Sequence, residues 1–142
     1  MKATHHGASP DTGESAVAPA MSDRALAVCR RTLALIPALD EAATLPAVLE
    51  SLSQWPLAGV RVVDNGSRDD TVALARTTGA EVIEEPVRGY GSACWRGLQS
   101  LPDEVEWIFF CDADGSDDLS ALEPFFAAAA DGCDLILGNR NA

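Results

Sequence analysis

Short apolar runs alternate along this chain with stretches whose apolar residues recur at helical spacing. The runs are rich in aliphatic and aromatic residues and are bounded by Gly, Pro or polar residues, a pattern that predicts strands. Runs that are apolar throughout are typical of a sheet covered on both faces. The five predicted strands are residues 32–36, 59–63, 80–83, 105–111 and 134–137.

The stretches between the strands carry an apolar residue at every third or fourth position, as one face of a helix does. Thr44 is the predicted N-cap of the first helix, and Ser67 and Asp70 form a capping-box pattern before the second. The predicted stripes are Leu45, Val48, Leu49 and Leu52; Ala93, Gly97, Leu98 and Leu101, ahead of Pro102; and Leu119, Leu122, Phe126 and Ala129. This alternation predicts an α/β fold with a mainly parallel sheet.

Residues 1–28 show no such periodicity. They are rich in Ala, Ser, Pro, Gly and Thr, a composition that buries too little apolar surface to offset the entropy of ordering. We therefore predict a disordered tail over residues 1–28 and one folded domain over residues 30–142. A chain of 142 residues that is 47% hydrophobic can bury the core of one domain.

The formal net charge of −12 argues against nonspecific binding to nucleic acid or anionic membranes, because both need a basic surface. The four cysteines lie far apart without a C-x-x-C pair, which favours small buried thiols in a reducing compartment over a zinc site. No run reaches the ~18 apolar residues of a membrane span, and the N-terminus lacks the layout of a secretory signal. The sequence therefore predicts a cytoplasmic protein.

An acidic cluster, residues 112–118, follows the fourth predicted strand. Asp112 and Asp114 are separated by one residue, so in an extended segment their carboxylates should point to the same side. Gly115 allows a sharp turn after them. Two converging carboxylates suit a hard divalent cation, Mg²⁺ or Mn²⁺, that completes its shell with water and substrate phosphates. The alternative is that these residues only form a turn and cap the next helix.

Four other polar loops also follow predicted strands. In a parallel sheet the carboxyl ends of the strands meet at one edge, where ligands bind. Each loop alone is explained by turn or helix-cap chemistry, but five at one edge predict a site. The loops are residues 37–41, 64–70, 88–92, 112–118 and 138–140.

These loops together resemble the nucleotide-binding half of the family 2 glycosyltransferases, which have the GT-A fold. The likeness is strongest to the branch that transfers sugars to polyprenyl or dolichyl phosphate, and it covers residues 32–140. The motifs that carry it are residues 36–41 (IPALDE), 62–71 (VVDNGSRDDT), 88–93 (RGYGSA), 112–115 (DADG) and 138–140 (GNR). The resemblance implies a Rossmann-like, mainly parallel sheet with helices on both faces, truncated at its C-terminus.

The resemblance also implies roles for individual residues. Glu41 and Asp64 would hold the base and ribose, Arg88 and Gly89 would lie near the nucleotide, and Asp112 and Asp114 would bind the metal. The full set of expected substrate-binding residues is Pro37, Glu41, Asp64, Asn65, Gly66, Arg88, Gly89, Asp112 and Arg140. Two positions depart from the family pattern: Asp40 stands where Asn is usual, and Asn65 replaces a frequent second Asp, which leaves Asp64 as the expected base contact.

The implied reaction moves a sugar from a nucleoside diphosphate to an acceptor such as a polyprenyl phosphate, with inversion, at the inner face of the membrane. Any catalytic base is expected beyond residue 142, and an anionic phosphate acceptor needs little deprotonation. The alternatives are a noncatalytic nucleotide-binding remnant with an open sheet edge and a sugar nucleotidyltransferase. A dehydrogenase is disfavoured because residues 88–91 lack the G-x-G-x-x-G pattern expected after the first strand.

Overall fold

The structure of the protein is a computed structural model, and it describes residues 20–139. Helices and strands alternate through this part of the chain, as the sequence predicts. In order they are α1 Asp23–Cys29, β1 Thr32–Ala38, α2 Leu45–Ser53, β2 Gly59–Asp64, α3 Thr71–Thr77, β3 Glu81–Glu84, α4 Tyr90–Gly97, β4 Trp107–Phe110 and α5 Glu123–Ala130.

The strands form one parallel sheet in the order β3-β2-β1-β4. The central strand, β1, continues through Pro37, which the sequence placed after the strand. β4 pairs only with Thr32–Leu35 of β1, so Pro37 lies past the end of that ladder. Its missing N–H therefore removes no bond between β1 and β4, which is where a proline is tolerated in a sheet.

Helices cover both faces of the sheet, as predicted. Because side chains alternate along a strand, Ala34 and Ile36 pack in the main core with α1, α2, α3 and α5, whereas Leu35 packs with α4 on the opposite face. The predicted stripes of the α2 and α5 regions are buried, and so are Ala93 and Gly97 of α4. Helix α4 is shorter than predicted, because it ends at Gly97 rather than near Pro102.

A buried arginine ties the C-terminal end of α4 to the sheet. Arg61 of β2 is 2% exposed; its guanidinium donates to the carbonyls of Gly97 (2.7 Å), Gln99 (2.9 Å) and Ser100 (3.3 Å) and to the Glu81 carboxylate (2.7 Å). Carbonyls at the end of a helix lack intrahelical partners, so this side chain satisfies them. Arg61 therefore joins the C-terminal end of α4 to β2 and β3.

The predicted disordered tail is wrong for residues 23–28. They belong to α1, whose Ala25 and Cys29 are fully buried and whose N-cap, Ser22, accepts a hydrogen bond from the Ala25 amide (3.1 Å). The alanine-rich composition of this segment suggested disorder, but the segment forms a two-turn helix that packs against α5. Residues 1–19 of the predicted tail lie outside the described residues.

The fifth predicted strand is absent from the described part of the chain. Residues 134–137 pair with no strand, and Leu135 and Leu137 are 78% and 80% exposed. An apolar run becomes a strand only when a neighbour satisfies its backbone groups, and neither β3 nor β4 pairs with it.

One predicted helix cap is confirmed and another is wrong. Thr44 is the N-cap of α2, as predicted, although its hydroxyl makes no capping bond. Ser67 does not cap α3, because that helix begins at Thr71 and the Ser67 hydroxyl accepts from the Asp40 amide (2.9 Å). Both hydroxyls instead form hydrogen bonds with residues distant in sequence, Thr44 with the Ala113 carbonyl and Ser67 with the Asp40 amide.

The four cysteines are free thiols, but they differ in burial. Cys29 and Cys111 are buried as predicted, Cys94 is half-buried, and Cys133 is exposed, so the prediction of burial is wrong for Cys133. Within residues 20–139 no helix has the length and apolar character needed to cross a membrane.

Candidate functional site

A cavity of about 380 Å³ opens at the edge of the sheet where the strands end. Loops that follow β1, β2, β3 and β4 all contribute to its wall, so the predicted gathering of polar loops is present. The lining residues are Pro37, Ala38, Leu39, Glu41, Asn65, Arg88, Gly89, Tyr90, Ala93, Asp112, Ala113 and Asp114.

Most of the predicted site residues line this cavity. Asp64 and Gly66 do not, and Arg140 lies outside the described residues. The lining brings together three carboxylates and one guanidinium, from Glu41, Asp112, Asp114 and Arg88. Leu39 and Tyr90 lie in loops that were predicted to form the site, but they were not among the predicted substrate-binding residues. The predicted residues in the lining are Pro37, Glu41, Asn65, Arg88, Gly89, Asp112 and Asp114.

The loops after β1 and β2 are joined by hydrogen bonds in both directions. Asp40 has a left-handed backbone (φ 54°), and its carboxylate accepts from the amides of Arg68 (2.7 Å) and Asp69 (3.4 Å). In return, side chains of the β2 loop accept from three amides of the β1 loop: Ser67 from Asp40 (2.9 Å), Thr71 from Glu41 (2.9 Å) and Asp69 from Ala42 (3.1 Å). We call residues 40–42 and 67–71 the paired loops; they fix the backbone of Glu41 at the cavity.

The Asp69 carboxylate accepts several of the hydrogen bonds within the paired loops. The Thr71 hydroxyl donates to it, and the amides of Thr71 and Ala42 also donate. These hydrogen bonds hold the pKa of Asp69 below its usual value, and the bond from the Thr71 hydroxyl has the largest effect. Asp69 is therefore an ionised acceptor in this turn.

Thr44 connects the β1 loop to the acidic cluster. Its hydroxyl lies 2.8 Å from the Ala113 carbonyl oxygen and 3.1 Å from Oε2 of Glu41. Ala113 stands between the two predicted metal ligands, Asp112 and Asp114. Thr44 therefore sets the separation between the Glu41 side of the cavity and the acidic side.

Asp64 uses its carboxylate within its own turn. The side chain is 5% exposed and accepts from the amides of Gly66 (3.2 Å) and Ser67 (3.2 Å), while Gly66 adopts a positive φ of 94°. This is the geometry of an Asx turn. That Asp64 contacts a base stays a prediction.

Asn65 is 6% exposed and makes three hydrogen bonds to the loop that follows β3. Its Nδ2 donates to the carbonyls of Glu85 and Val87, and its Oδ1 accepts from the Gly89 amide, each at 2.8 Å. The Asn65 side chain thus connects the end of β2 to the loop that carries Arg88 and Gly89.

The acidic cluster forms the turn that the sequence predicts. Gly115 has a positive φ of 77°, Asp114 accepts from the Ser116 amide (2.9 Å), and Asp117 accepts from the Asp112 amide (2.9 Å). These bonds close the turn around Gly115. Asp112 and Asp114 also both line the cavity, so turn chemistry and a ligand-facing position coexist.

The donor set of this cluster suits a hard cation that shares its shell with a substrate. Across residues 20–139 no three His, Cys, Asp or Glu side chains are grouped to hold a metal by themselves. Mg²⁺ and comparable ions are commonly bound through one or two carboxylates together with water and phosphate oxygens. Asp112 and Asp114 fit that mode.

Tyr90 begins α4 between two glycines and lies near the acidic cluster. Tyr90 is 60% exposed, so only part of the side chain is withdrawn from water. This partial desolvation is the main cause that raises the pKa of Tyr90 to about 12, and Cys94, Asp112 and Asp117 add to the effect. The phenol is therefore neutral and can donate a hydrogen bond at physiological pH. Its place in the same loop as Arg88 and Gly89 was the sequence signal that could have identified it.

Comparison with solved structures identifies the class of this fold. Glucosyl-3-phosphoglycerate synthase from Mycobacterium tuberculosis, solved with Mn²⁺, UDP and glucosyl-3-phosphoglycerate, matches with a TM-score of 0.55 and 33% identity over 63% of this chain and 36% of that one. A second structure, described as a mycobacterial protein, matches with a TM-score of 0.60 and 27% identity over 77% of this chain and 42% of that one. The molecule therefore has the GT-A glycosyltransferase fold, as the resemblance predicted.

The family model described as glycosyl transferase family 2 matches residues 34–142. The chain belongs to this family. An uncharacterized glycosyltransferase of Mycobacterium tuberculosis is 41% identical over 108 residues, which are 75% of this chain and 47% of the relative. Glucosyl-3-phosphoglycerate synthase of the same organism is 38% identical over 98 residues, 59% of this chain and 29% of the relative. The chain thus spans less than half the length of these relatives.

Proposed function

We propose that this chain binds the sugar donor of a family 2 glycosyltransferase, and that the donor is a UDP-sugar. The observation that carries the proposal is the meeting of Asp112 and Asp114 with Glu41 and Arg88 around one cavity at the carboxyl edge of the sheet. Support also comes from the solved relative that holds UDP and Mn²⁺.

The residues of the cavity suit the separate parts of a nucleoside diphosphate. Arg88 supplies the one guanidinium of the described lining, which would pair with phosphate oxygens. Gly89 has no side chain, so its backbone permits close approach of a ligand. Glu41, held by Thr44, is an acceptor for ribose hydroxyls or a ring N–H.

Asp112 and Asp114 would hold Mg²⁺ or Mn²⁺ in this proposal. When bound, the ion would neutralise charge on the diphosphate and favour its departure as a leaving group. The two carboxylates provide the negative charge that localises the ion, and the Ser116 amide keeps the Asp114 carboxylate oriented.

The acceptor expected from the sequence, a polyprenyl phosphate, gains no support from these relatives. The solved relative holds glucosyl-3-phosphoglycerate, so a phosphoglycerate is the first acceptor to test. A catalytic base beyond residue 142, inversion and a cytoplasmic location stay predictions. None of the relatives named here is described as a nucleotidyltransferase or a dehydrogenase.

Calorimetric titration of the 142-residue chain with UDP-glucose, GDP-mannose and dTDP-glucose tests the proposal. We expect UDP-glucose to bind in Mn²⁺ and to lose most of its affinity in EDTA. Asp114→Asn should weaken binding at least about tenfold, because a charged ligand to the cation is lost. The matched control is Asp103→Asn, which removes the same charge from an exposed turn. A folded chain that binds none of the three donors would refute the proposal.

A further inference from the structure

The Asn65 side chain makes three hydrogen bonds to a loop segment that is otherwise held by the bond from the Glu85 amide to the Asp64 carbonyl (2.8 Å) and by one from the Val87 amide to the Glu85 carboxylate (2.7 Å). We call residues 85–89 the wall segment, because Arg88 and Gly89 within it line the cavity. Val87, at its centre, is 63% exposed, so apolar burial contributes little to its position. Asn65 bonds to the segment at its beginning, middle and end, through Glu85, Val87 and Gly89.

These three bonds require an amide. The two N–H donors of Asn65 meet two carbonyl oxygens, and its single oxygen meets one N–H. Exchanging the amide N and O would set oxygen against the carbonyls of Glu85 and Val87, so the network itself fixes the orientation. An ionised aspartate has no donor, and at this position it would face both carbonyls without a proton between them.

The wall segment leads directly into α4. Gly89 is the N-cap of that helix and has φ 130° and ψ 142°, a backbone region open essentially to glycine. Its carbonyl accepts from the Ala93 amide (3.1 Å), while its own amide donates to Asn65 (2.8 Å). The Asn65 contact therefore fixes both the place of Arg88 and the first turn of α4 beside the acidic cluster.

We propose that Asn65 is a positioning residue for the donor diphosphate: its amide holds the wall segment so that Arg88 and the Gly89 backbone face the phosphates. The effect on ligands rests on the proposed function, whereas the effect on the segment does not. In this role Asn65 acts through its hydrogen bonds to the wall segment, and Asp64 stays the expected base contact. Specificity for the anionic part of the donor then depends on an amide at residue 65 rather than a carboxylate.

The test compares Asn65→Asp and Asn65→Ser with the parent chain. Both variants lose the paired donors, and the serine variant adds no charge, so it remains informative if the aspartate variant unfolds. We expect the Gly89 amide to exchange with solvent at least about tenfold faster in both variants. The serine side chain is too short to reach this amide, and the aspartate carboxylate is repelled by the carbonyls of Glu85 and Val87 that Nδ2 bonds in the parent chain. We also expect UDP to bind at least about tenfold more weakly with Mn²⁺, and uridine to lose less affinity than UDP.

The matched control is Gln99→Glu, which makes the same amide-to-carboxylate change at a half-buried position beyond the other end of α4, where Nε2 donates to the Trp95 carbonyl (3.1 Å). It should leave Gly89 exchange and UDP affinity at the parent values. Unchanged Gly89 exchange or unchanged UDP affinity in both Asn65 variants would overturn the proposal, and so would equal losses for UDP and uridine, which would indicate a base contact. If the parent chain binds no nucleotide, the proposed function fails and Gly89 exchange alone decides the role of Asn65.

Discussion

Asp40 shows how a single residue is suited to the edge of this site. A left-handed backbone costs most residues free energy, but Asp and Asn adopt it more readily than others. At φ 54° its carboxylate also meets the amides of Arg68 and Asp69. One residue thus satisfies both the backbone conformation and the neighbouring loop.

We expect Asp40→Asn to change the free energy of unfolding by less than about 0.5 kcal/mol, because Oδ1 is retained and Asn tolerates this backbone. Asp40→Ala should destabilise by about 1–3 kcal/mol, because two amides lose their acceptor and alanine is strained at this φ. Urea denaturation of the two variants measures the difference. Equal midpoints would show that neither the strain nor the two hydrogen bonds matters.

The buried thiol of Cys111 predicts a loss of stability in alkali. Burial is the main cause that raises its pKa to about 12 from a usual 9.0, with Asp117, Asp112 and Asp114 contributing. The unfolded chain therefore releases this proton first, so the contribution to stability is complete below pH 9 and declines as the pH rises toward 12. Cys29, whose pKa burial raises to about 11, acts in the same direction.

Denaturation midpoints at about pH 8 and pH 10 measure this decline. Cys111→Ala should make the midpoint less sensitive to pH, although the variant is less stable overall because of the cavity it creates. Cys133→Ala removes an exposed thiol and should leave the pH dependence unchanged. An identical pH dependence for the parent and Cys111→Ala would contradict the prediction.

Sequence reasoning identified residue types at the site better than their roles. Asp112, Asp114, Glu41 and Arg88 all line the cavity, because position after a strand decides which edge a residue reaches. The partners of Asp64 and Asn65 were not predictable in the same way. Each side chain bonds to backbone groups whose positions depend on how the loops fold, and a motif does not encode those distances.

Helix α4 depends on a close approach between its backbone and the sheet. A Cβ at Gly97 would lie 2.5 Å from Cδ1 and 2.9 Å from Cγ of Leu35. Leu35 is fully buried in the central strand, so its side chain has little room to move away from an added Cβ at Gly97. The glycine at this helical position therefore allows α4 to pack closely on β1.

We expect Gly97→Ala to destabilise the protein by about 1–3 kcal/mol through overpacking. Gly91→Ala in the same helix is the control, because a Cβ there meets nothing within 4 Å and should stabilise the helix by up to about 1 kcal/mol. Thermal unfolding of both variants tests the pair. A loss of stability in both, or in neither, would show that the contact with Leu35 is not decisive.

The strands and helices were largely predictable because their apolar periodicity is set by one buried face. Their ends were less predictable: Thr44 is the N-cap of α2 as expected, but Ser67 bonds to the Asp40 amide instead of capping α3, and α4 ends at Gly97 rather than near Pro102. The run at residues 134–137 has strand composition, but composition does not supply a neighbouring strand. Helix α1 was missed for the opposite reason, because its burial depends on α5, which is distant in sequence.

The molecule as a whole has a sheet with two open edges among its described residues. β3 and β4 each pair on one side only. Phe110 of β4 is 46% exposed, and Leu135 and Leu137 are more exposed still. Unpaired strand edges beside exposed apolar residues favour association between molecules.

Sedimentation velocity should therefore show self-association that increases with concentration. We expect replacing both Leu135 and Leu137 with Glu to reduce it, because the substitutions remove apolar contact and add like charge. Ser53→Glu, at an exposed position of α2, is the control for added charge and should have little effect. A parent chain that remains monomeric over the whole range would contradict the prediction.

Because the paired loops bond to each other, residues 40–42 and 67–71 should be exchanged together when the protein is recombined with a relative. A chimera that takes residues 40–42 from a relative but keeps residues 67–71 would leave backbone amides facing mismatched side chains across the junction. Donor preference should therefore be transplanted by exchanging both pieces at once. Recombination libraries of this family should keep crossover points out of the interval between them.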